Sequence, residues 1–244
     1  MQKYKVQNYM NKKTYWIGGK HAVYESLKNP KRKIIQVLST NNLEKIPRKI
    51  KNIIVDEKQI NKIFSQYKNF VHQNIAAEVE SLPKIELKNE VHHMRNVIML
   101  NGITDVGNIG SILRTAVAFN FNSIIVEKKM FNQNNPVIHK NSSGAIENLN
   151  IFEVPNLGRA LEYLKENNFW SYALDMNGKD CVMNCKQFSE KNIIILGSEN
   201  NGISKNLKKK ADYIVKINIS NKIESLNVSV AAAIAMAKIN SSQI

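Results

Sequence analysis

Residues 97–128 read "VIMLNGITDVGNIGSILRTAVAFNFNSIIVEK", and their pattern decides the fold. "VIMLNGI" is a continuous apolar run of strand length. A polar turn with glycines follows, then "NIGSILRTAVAFN" with apolar residues at helical spacing, then a second apolar strand, "SIIVEK". A strand that is apolar without alternation is buried on both faces, which is the mark of a parallel sheet covered by helices. The unit repeats downstream: "NLGRALEYLKENN" is a helix and "WSYALD" a strand, then come the strand "KNIIILG", the helix "SKNLKKKAD", the strand "YIVKINI" and a last helix in "LNVSVAAAIAMAKI". This alternation predicts an α/β domain with a mostly parallel sheet over residues 95–244.

Upstream the pattern is shorter. "HAVYESLKN" is a helix closed by Asn29-Pro30, "KIIQVLST" and "NIIVD" are strands, "EKQINKIFSQY" is helical and "IAAEVE" is a further strand. Residues 15–81 therefore read as a small α/β unit of their own. "SLPKIELKNEVHHMRN" has a proline, many charges and no clear period, which predicts a linker over 82–94. Residues 1–14 hold lysines with no apolar segment after them, so they read as a flexible basic arm and not a secretory leader.

The chain has 244 residues, enough for one large or two small domains, and its 43% hydrophobic content supports a core. The formal net charge of +15 points to a polyanionic partner, nucleic acid before all others. The charge is uneven: residues 1–82 hold 16 Lys+Arg against 6 Asp+Glu, and residues 83–244 hold 19 against 14. The N-terminal part is the first candidate for gripping the polyanion, with Lys12, Lys13, Lys31, Arg32 and Lys33 as contacts, although a solvated face accounts for any one of them equally well. A membrane surface is the competing partner, but there is no basic amphipathic helix with a bulky apolar face, and no apolar run reaches the ~18 residues of a membrane span. Cys181 and Cys185 lack a second pair and read as reduced cytoplasmic thiols. His21, His72, His92, His93 and His139 form no ligand spacing, so no metal is implied.

In sheets of this type ligands bind beyond the carboxyl ends of the strands, so the strand-to-helix loops are the places to look. The first is "NGITDVGNIGSILRTA", 101–116, where Asp105 or Asn108 can cap the helix and Arg114 follows on its second turn. It lacks the glycine spacing of a dinucleotide fingerprint and the lysine of a phosphate loop. The second is "IIILGSENNGIS", 193–204, where a strand ends in Gly197 and would let a flat ligand press on bare backbone, with Glu199 at the edge. The third is "SNKIESLN", 220–227, where Ser225 and Asn227 flank Leu226 at the mouth of a small-residue helix. Each has an ordinary reading as a turn, a surface charge or a cap; a helix start also presents N–H groups to an anion.

Together, "TDVGNIGSILRTA", "IIILGSENNGIS" and "KINISNKIESLNVSVAAA" resemble the three motifs of the SpoU (TrmH) family of RNA ribose 2′-O-methyltransferases, within the SPOUT superfamily. "KNSSGAIE", 140–147, is similar to the segment that family carries between the first two. "WIGGKHAVYESLKNP" and "HQNIAAEVE", 16–30 and 72–80, resemble the RNA-binding extension of the branch acting on a guanosine of 23S ribosomal RNA. The resemblance spans about 15–240. Val106, Asn200, Asn218 and Asn221 depart from the residues usual at their positions, which touches loop shape more than chemistry.

The resemblance implies a C-terminal trefoil knot, which the general rarity of threaded chains argues against. It implies a pocket for S-adenosylmethionine lined by Gly197, Ile217 and Leu226, a homodimer in which Arg114 can act on the partner's cofactor, and methyl transfer to a ribose 2′-hydroxyl of RNA. It makes Arg114 the essential group, with Asn108 and Ser225 orienting it or the ribose, Glu199 holding Arg114 or Asn108, and Asn227 securing the loop. A guanidinium is a poor base, so stabilising the developing alkoxide is the easier role for Arg114. The expected substrate is large-subunit ribosomal RNA. The alternatives are a transfer RNA methyltransferase, a non-catalytic RNA-binding assembly factor, and a nucleotide-binding α/β protein, which the missing phosphate-loop lysine disfavours.

Overall fold

The computed structural model describes residues 14–43, 45–128, 130–185 and 188–243. It divides into two compact units, Met1–Pro83 and Lys84–Ile244.

The first unit contains β1 (Thr14–Gly18), α1 (Lys20–Lys28), β2 (Ile34–Ser39), β3 (Asn52–Ile54), α2 (Glu57–Ile63) and β4 (Ile75–Glu80). Its sheet runs β1-β4-β2-β3, with β2 and β3 parallel and the other pairs antiparallel. β4 shows why "IAAEVE" lacks alternation. Ile75, Ala77 and Val79 join Ile17, Val23 and Val37 in one core, while Ala76 packs with Ile60 and Phe64 in another. The start of α2 is fixed by a capping box, in which Gln59 Oε1 accepts from the Asp56 N–H at 3.1 Å. β1, five residues of "TYWIG", is a strand that periodicity did not single out.

The structure sorts the candidate RNA contacts. Lys31 is exposed, and Lys33 is exposed and pairs with Glu80 at 2.7 Å. Arg32 is a correction: it is only 6% exposed, its Nη1 donates to the Glu80 carbonyl at 2.7 Å and its guanidinium lies over the Tyr15 ring. Those contacts make Arg32 part of the unit's framework. Lys12, Lys13 and the basic arm up to residue 13 lie outside the described residues.

The second unit begins with α3 (Leu87–Glu90) and a 3-10 turn over Val91–His93. The stretch 82–94 read as a linker thus carries short helical turns, and Val91 and Met94 are buried against the sheet. Then follow β5 (Asn96–Asn101), α4 (Val106–Ala118), β6 (Ser123–Glu127), α5 (Pro136–Asn141), β7 (Asn150–Val154), α6 (Leu157–Glu166), β8 (Trp170–Leu174), β9 (Asp180–Cys181), β10 (Asn192–Gly197), α7 (Lys205–Lys210), β11 (Tyr213–Lys216) and α8 (Val228–Ser241). The sheet order is β7-β6-β5-β10-β8-β11-β9, and every pairing is parallel. Ile98 and Leu100 of β5 face α4 and α8, while Val97 and Met99 face α6 and α7. Each of these side chains is at most 4% exposed, worth roughly 1.5–3 kcal/mol apiece in water exclusion. This two-sided burial produces the unbroken apolar runs in the sequence.

β11 stops at Lys216, short of the expected "YIVKINI". The chain leaves the sheet there, which turns Ile217 into a loop residue at the carboxyl edge.

Candidate active site

The central strands β5, β10, β8 and β11 lie side by side, so the loops after them meet at one edge. The loop after β5 enters α4 through Asp105, whose Oδ1 accepts from the Asn108 N–H at 2.7 Å. Asp105 is therefore the cap, and the Asn108 side chain is left for other work. Its Nδ2 donates to Glu199 Oε1 at 2.9 Å, and its Oδ1 accepts from Asn227 Nδ2 at 2.9 Å. Asn227 Nδ2 also reaches Glu199 Oε1 at 3.2 Å. Asn108, Glu199 and Asn227 thus close a ring of hydrogen bonds between three loops separated by up to 119 residues.

Asn227 does two jobs. Its Oδ1 caps α8, accepting from the Ser229 N–H at 2.9 Å and the Ser229 hydroxyl at 2.6 Å, while its amide closes the ring. One side chain thus caps α8 and ties the loop after β11 to Asn108 and Glu199. Ser225, two residues earlier, is exposed and makes no hydrogen bond among the described residues.

Beside the ring lies a cavity of about 340 Å³. Gly197, Ile217, Leu226 and Ser225 line it, as does Glu199. Gly202 lines it too, and at Gly197 the loop folds back closely on its own chain. A side chain at Gly197 would collide with the backbone of Gly202 and Ile203, and Gly202 itself turns with φ +60. The Gly202 N–H donates to the Ser198 carbonyl at 2.8 Å, and Asn101 Oδ1 accepts from the Ser204 N–H at 2.8 Å, tying this loop to the end of β5. The two glycines, the apolar Ile217 and Leu226 and the polar rim suit a flat nucleoside bound largely against main chain.

Arg114 is placed differently. It is exposed on α4, six residues beyond Asn108, or about 9 Å along the helix axis. It makes no hydrogen bond or ion pair among the described residues and does not line the cavity. Its guanidinium is therefore free to meet a ligand or a second chain.

Sequence reading missed two groups on the cavity wall, Asp175 at the end of β8 and Lys208 on α7, which form an ion pair at 2.5 Å. Burial alone would raise the Asp175 carboxyl. The Lys208 hydrogen bond and charge and the Asn177 N–H at 2.9 Å outweigh it and hold the carboxyl below the usual range. The only signal in the sequence was an acidic residue just after an apolar strand. In the 140–147 segment, Glu147 is buried 3.7 Å from His139 Nδ1, and His139 Nε2 lies 2.9 Å from the Gln133 carbonyl, a packing role away from the cavity. Cys181 and Cys185 are free thiols, and among the described residues no group of three or more His, Cys, Asp or Glu gathers as a metal site. No helix of the described residues is long and apolar enough to cross a membrane.

Comparison with known proteins finds relatives of both units. Residues 95–237 match the SpoU rRNA methylase family, and residues 16–84 match the RNA 2′-O ribose methyltransferase substrate-binding family. A protein of Borreliella burgdorferi, named an uncharacterized tRNA/rRNA methyltransferase, is 31% identical over 85% of this chain and 92% of its own length. A Synechocystis protein of the same description is 31% identical over 91% of this chain, which spans only 61% of that relative. The fold matches the AdoMet-bound rRNA methyltransferase of Sinorhizobium meliloti with a TM-score of 0.80 at 18% identity, covering 95% of this chain and 88% of that one. The chain belongs to the SpoU family of RNA 2′-O-ribose methyltransferases.

Proposed function

We propose that the protein methylates the ribose 2′-hydroxyl of a guanosine in large-subunit ribosomal RNA, with S-adenosylmethionine as methyl donor and Arg114, Asn108, Glu199, Ser225 and Asn227 as its working polar residues. Family membership makes it an S-adenosylmethionine-dependent RNA methyltransferase. The observation that carries the residue assignment is the hydrogen-bonded ring of Asn108, Glu199 and Asn227 beside a cavity lined by Gly197 and Gly202.

Gly197, Ile217 and Leu226 would hold the cofactor, with the glycine giving close approach and the two apolar residues flanking the adenine. When bound, the cofactor supplies an electrophilic methyl on a sulfonium. The chain's own task is to orient a ribose hydroxyl and stabilise it as its proton leaves. A protonated Arg114 places positive charge against the developing alkoxide and the neighbouring phosphate. The ring fixes the start of α4 against the loops after β10 and β11, which sets the direction in which Arg114 leaves the helix. Ser225 keeps its hydroxyl free to orient the ribose.

The same reading includes a homodimer and a trefoil knot formed by the C-terminal segment. Arg114 lies off its own chain's cavity, so a second chain's cavity is where it would act. α8 is apolar almost all round, yet Val230 is 48% exposed in the single chain, as a subunit interface would leave it. We assign residues 15–81 to RNA binding and residues 95–244 to methyl transfer, with 82–94 joining them. The substrate-binding match over 16–84 and the excess positive charge of the first 82 residues support ribosomal RNA as the target.

The test is methyl transfer from labelled S-adenosylmethionine to unmodified ribosomal or transfer RNA. Label on one large-subunit ribose, lost with Arg114→Ala, is the expected result. Label only in transfer RNA overturns the substrate. No label together with no cofactor binding leaves a non-catalytic RNA-binding protein.

A further inference from the structure

The cavity wall contains a charged pair that the ring of polar residues does not use. Asp175 ends β8 and Lys208 sits on α7, so two segments 33 residues apart meet only through the fold. The Asp175 side chain is 8% exposed, and that of Lys208 is 30% exposed. One carboxylate oxygen accepts from the Asn177 N–H at 2.9 Å, the other pairs with Lys208 Nζ at 2.5 Å, and the Asn177 side chain adds a further hydrogen bond. A carboxylate has about four lone-pair sites, so acceptor capacity remains on the side that faces the cavity. One oxygen would lie 3.9 Å from a Cβ built on Gly202, in a loop that lines the cavity. The Asp175 carboxyl is held below its usual range and is therefore charged at neutral pH, with Lys208 as its counterion.

Strand order says which part of a nucleoside cofactor this carboxylate can meet. Along the carboxyl edge the loops follow β5, β10, β8 and β11, which places Asn108 and Arg114, then Glu199, then Asp175, then Ile217. Strands lie about 4.8 Å apart, so Asp175 is about 10 Å from the loop after β5 and one strand from Ile217. The backbone confirms the second neighbour: the Asp175 N–H donates to the Val215 carbonyl at 2.9 Å, two residues before Ile217. With Ile217 flanking the adenine and Asn108 among the working polar residues, as the proposed function has them, the reacting end of the cofactor would lie toward Asn108 and the adenine toward Ile217. What lies next to the adenine, on the way to the reacting sulfur, is the ribose with its two hydroxyls.

We infer that Asp175, clamped by Lys208, is a cofactor-binding residue that accepts hydrogen bonds from the ribose diol of S-adenosylmethionine. This deepens the proposed function and rests on its cofactor pocket. Two O–H donors and one fixed carboxylate form charge-assisted bonds, the strong class of neutral-to-ion hydrogen bond. The same carboxylate rejects an analogue lacking those hydroxyls, because a desolvated charge would be left with acceptor sites unfilled.

The test is calorimetric binding of S-adenosylhomocysteine and of its 2′,3′-dideoxy analogue to the full chain, for wild type, Asp175→Asn and Lys208→Gln. Wild type is expected to bind the dideoxy analogue about ten- to hundredfold more weakly. Asp175→Asn is expected to lose most of that discrimination while it still binds S-adenosylhomocysteine; its thermal midpoint without ligand falls, since the ion pair with Lys208 is lost, but the protein stays folded at the temperature of the measurement. Lys208→Gln is expected to keep the discrimination at reduced affinity. A wild type that binds both ligands equally overturns the inference, with no variant needed. So does an Asp175→Asn protein that weakens for both ligands alike, since that is the signature of a purely structural ion pair. Wild type that binds neither ligand removes the cofactor pocket itself, an outcome distinct from failure of the Asp175 assignment alone.

Discussion

The two ends of the seven-stranded sheet carry similar asparagine clusters with opposite consequences. At the amino end, Asn96 opens β5 and Asn192 opens β10, with exposures of 6% and 0%. Asn192 Nδ2 donates to Asn96 Oδ1 at 3.0 Å and to the Ser189 carbonyl at 2.8 Å, and Asn96 Nδ2 donates to Gln243 Oε1 at 2.8 Å. At the carboxyl end, Asn108 and Asn227 meet Glu199, but Asn227 and Glu199 are exposed and Asn108 is half-buried. The chemistry of the amides is the same. Burial makes the first cluster a latch, because breaking one of its bonds strands a polar group away from water. Exposure leaves the second cluster free to exchange its bonds, because water or a ligand replaces any bond it gives up at low cost. An asparagine cluster becomes functional where it borders open space and a charged group, and that depends on its position in the fold.

The contrast is sharpest for Arg114, which is exposed on α4 and makes no side-chain hydrogen bond or ion pair among the described residues. Arg114→Ala should lower methyl transfer by roughly 10²–10³-fold, the scale for removing one stabilising donor. Its thermal midpoint should match that of wild type. A variant that keeps near-full activity would remove Arg114 from the chemistry. One that unfolds early would show that Arg114 holds the fold in a way its exposed, unpaired position denies.

The latch should behave in the reverse sense. Asn192→Ala leaves Asn96 Oδ1 and the Ser189 carbonyl without that donor, which costs about 1–3 kcal/mol of stability. Urea unfolding should show this loss while the dissociation constant for cofactor stays put. A change in cofactor affinity at unchanged stability would break the division between the two ends.

Much of this organisation was legible in the chain because it rests on local pattern. The unbroken apolar runs of β5, β6 and β10 announced strands buried on both faces, and the parallel sheet followed. Three polar loops in order pointed to the carboxyl edge, where the loops meet beside the cavity. What was not legible is tertiary. Nothing in "YIVKINI" marks the point after Lys216 where the strand gives way to the loop holding Ile217, since the apolar alternation continues through it. β1 (TYWIG) and β7 (NIFEV) mix polar residues or glycine among their apolar ones, unlike the unbroken apolar centre of SIIVE in β6, so their signal is weak. Arg32 stands in a basic run that reads as surface, yet its aliphatic stem and guanidinium pack over Tyr15. Asp175 and Lys208 look like an ordinary strand-end acid and a member of a lysine run until the fold brings them within 2.5 Å.

Asn227 belongs to both behaviours at once, so two substitutions should separate them. Asn227→Asp keeps an oxygen to cap α8 but loses the amide that donates to Asn108 and Glu199, and it sets a carboxylate against Glu199. Methyl transfer should fall while stability stays within about 0.5 kcal/mol of wild type. Asn227→Ala loses the cap as well and should cost about 1 kcal/mol. If the aspartate variant retains full activity, the ring is a fastening of the loops with no part in the reaction, and the cap alone explains the residue.

The smallest effect concerns acid stability away from the site. Asp212 accepts from the Ser171 N–H at 2.9 Å and the Ser171 hydroxyl at 2.7 Å, and it pairs with Lys165 at 2.7 Å. Burial pushes its carboxyl up, but the Lys165 hydrogen bond and the two from Ser171 prevail and lower it below the usual 3.8. A depressed folded-state pKa adds stability that is fully present above 3.8 and is lost as pH falls through the lowered value. Asp212→Asn should therefore be less stable than wild type at pH 6 to 7, and the gap should close as the pH is taken down toward 2. Thermal midpoints measured across that range read the difference directly. A gap that stays constant down to pH 2 would mean that the loss comes from packing and the neutral hydrogen bonds to Ser171. The charge on Asp212 would then add nothing, and the ion pair with Lys165 would be one more surface contact of little consequence.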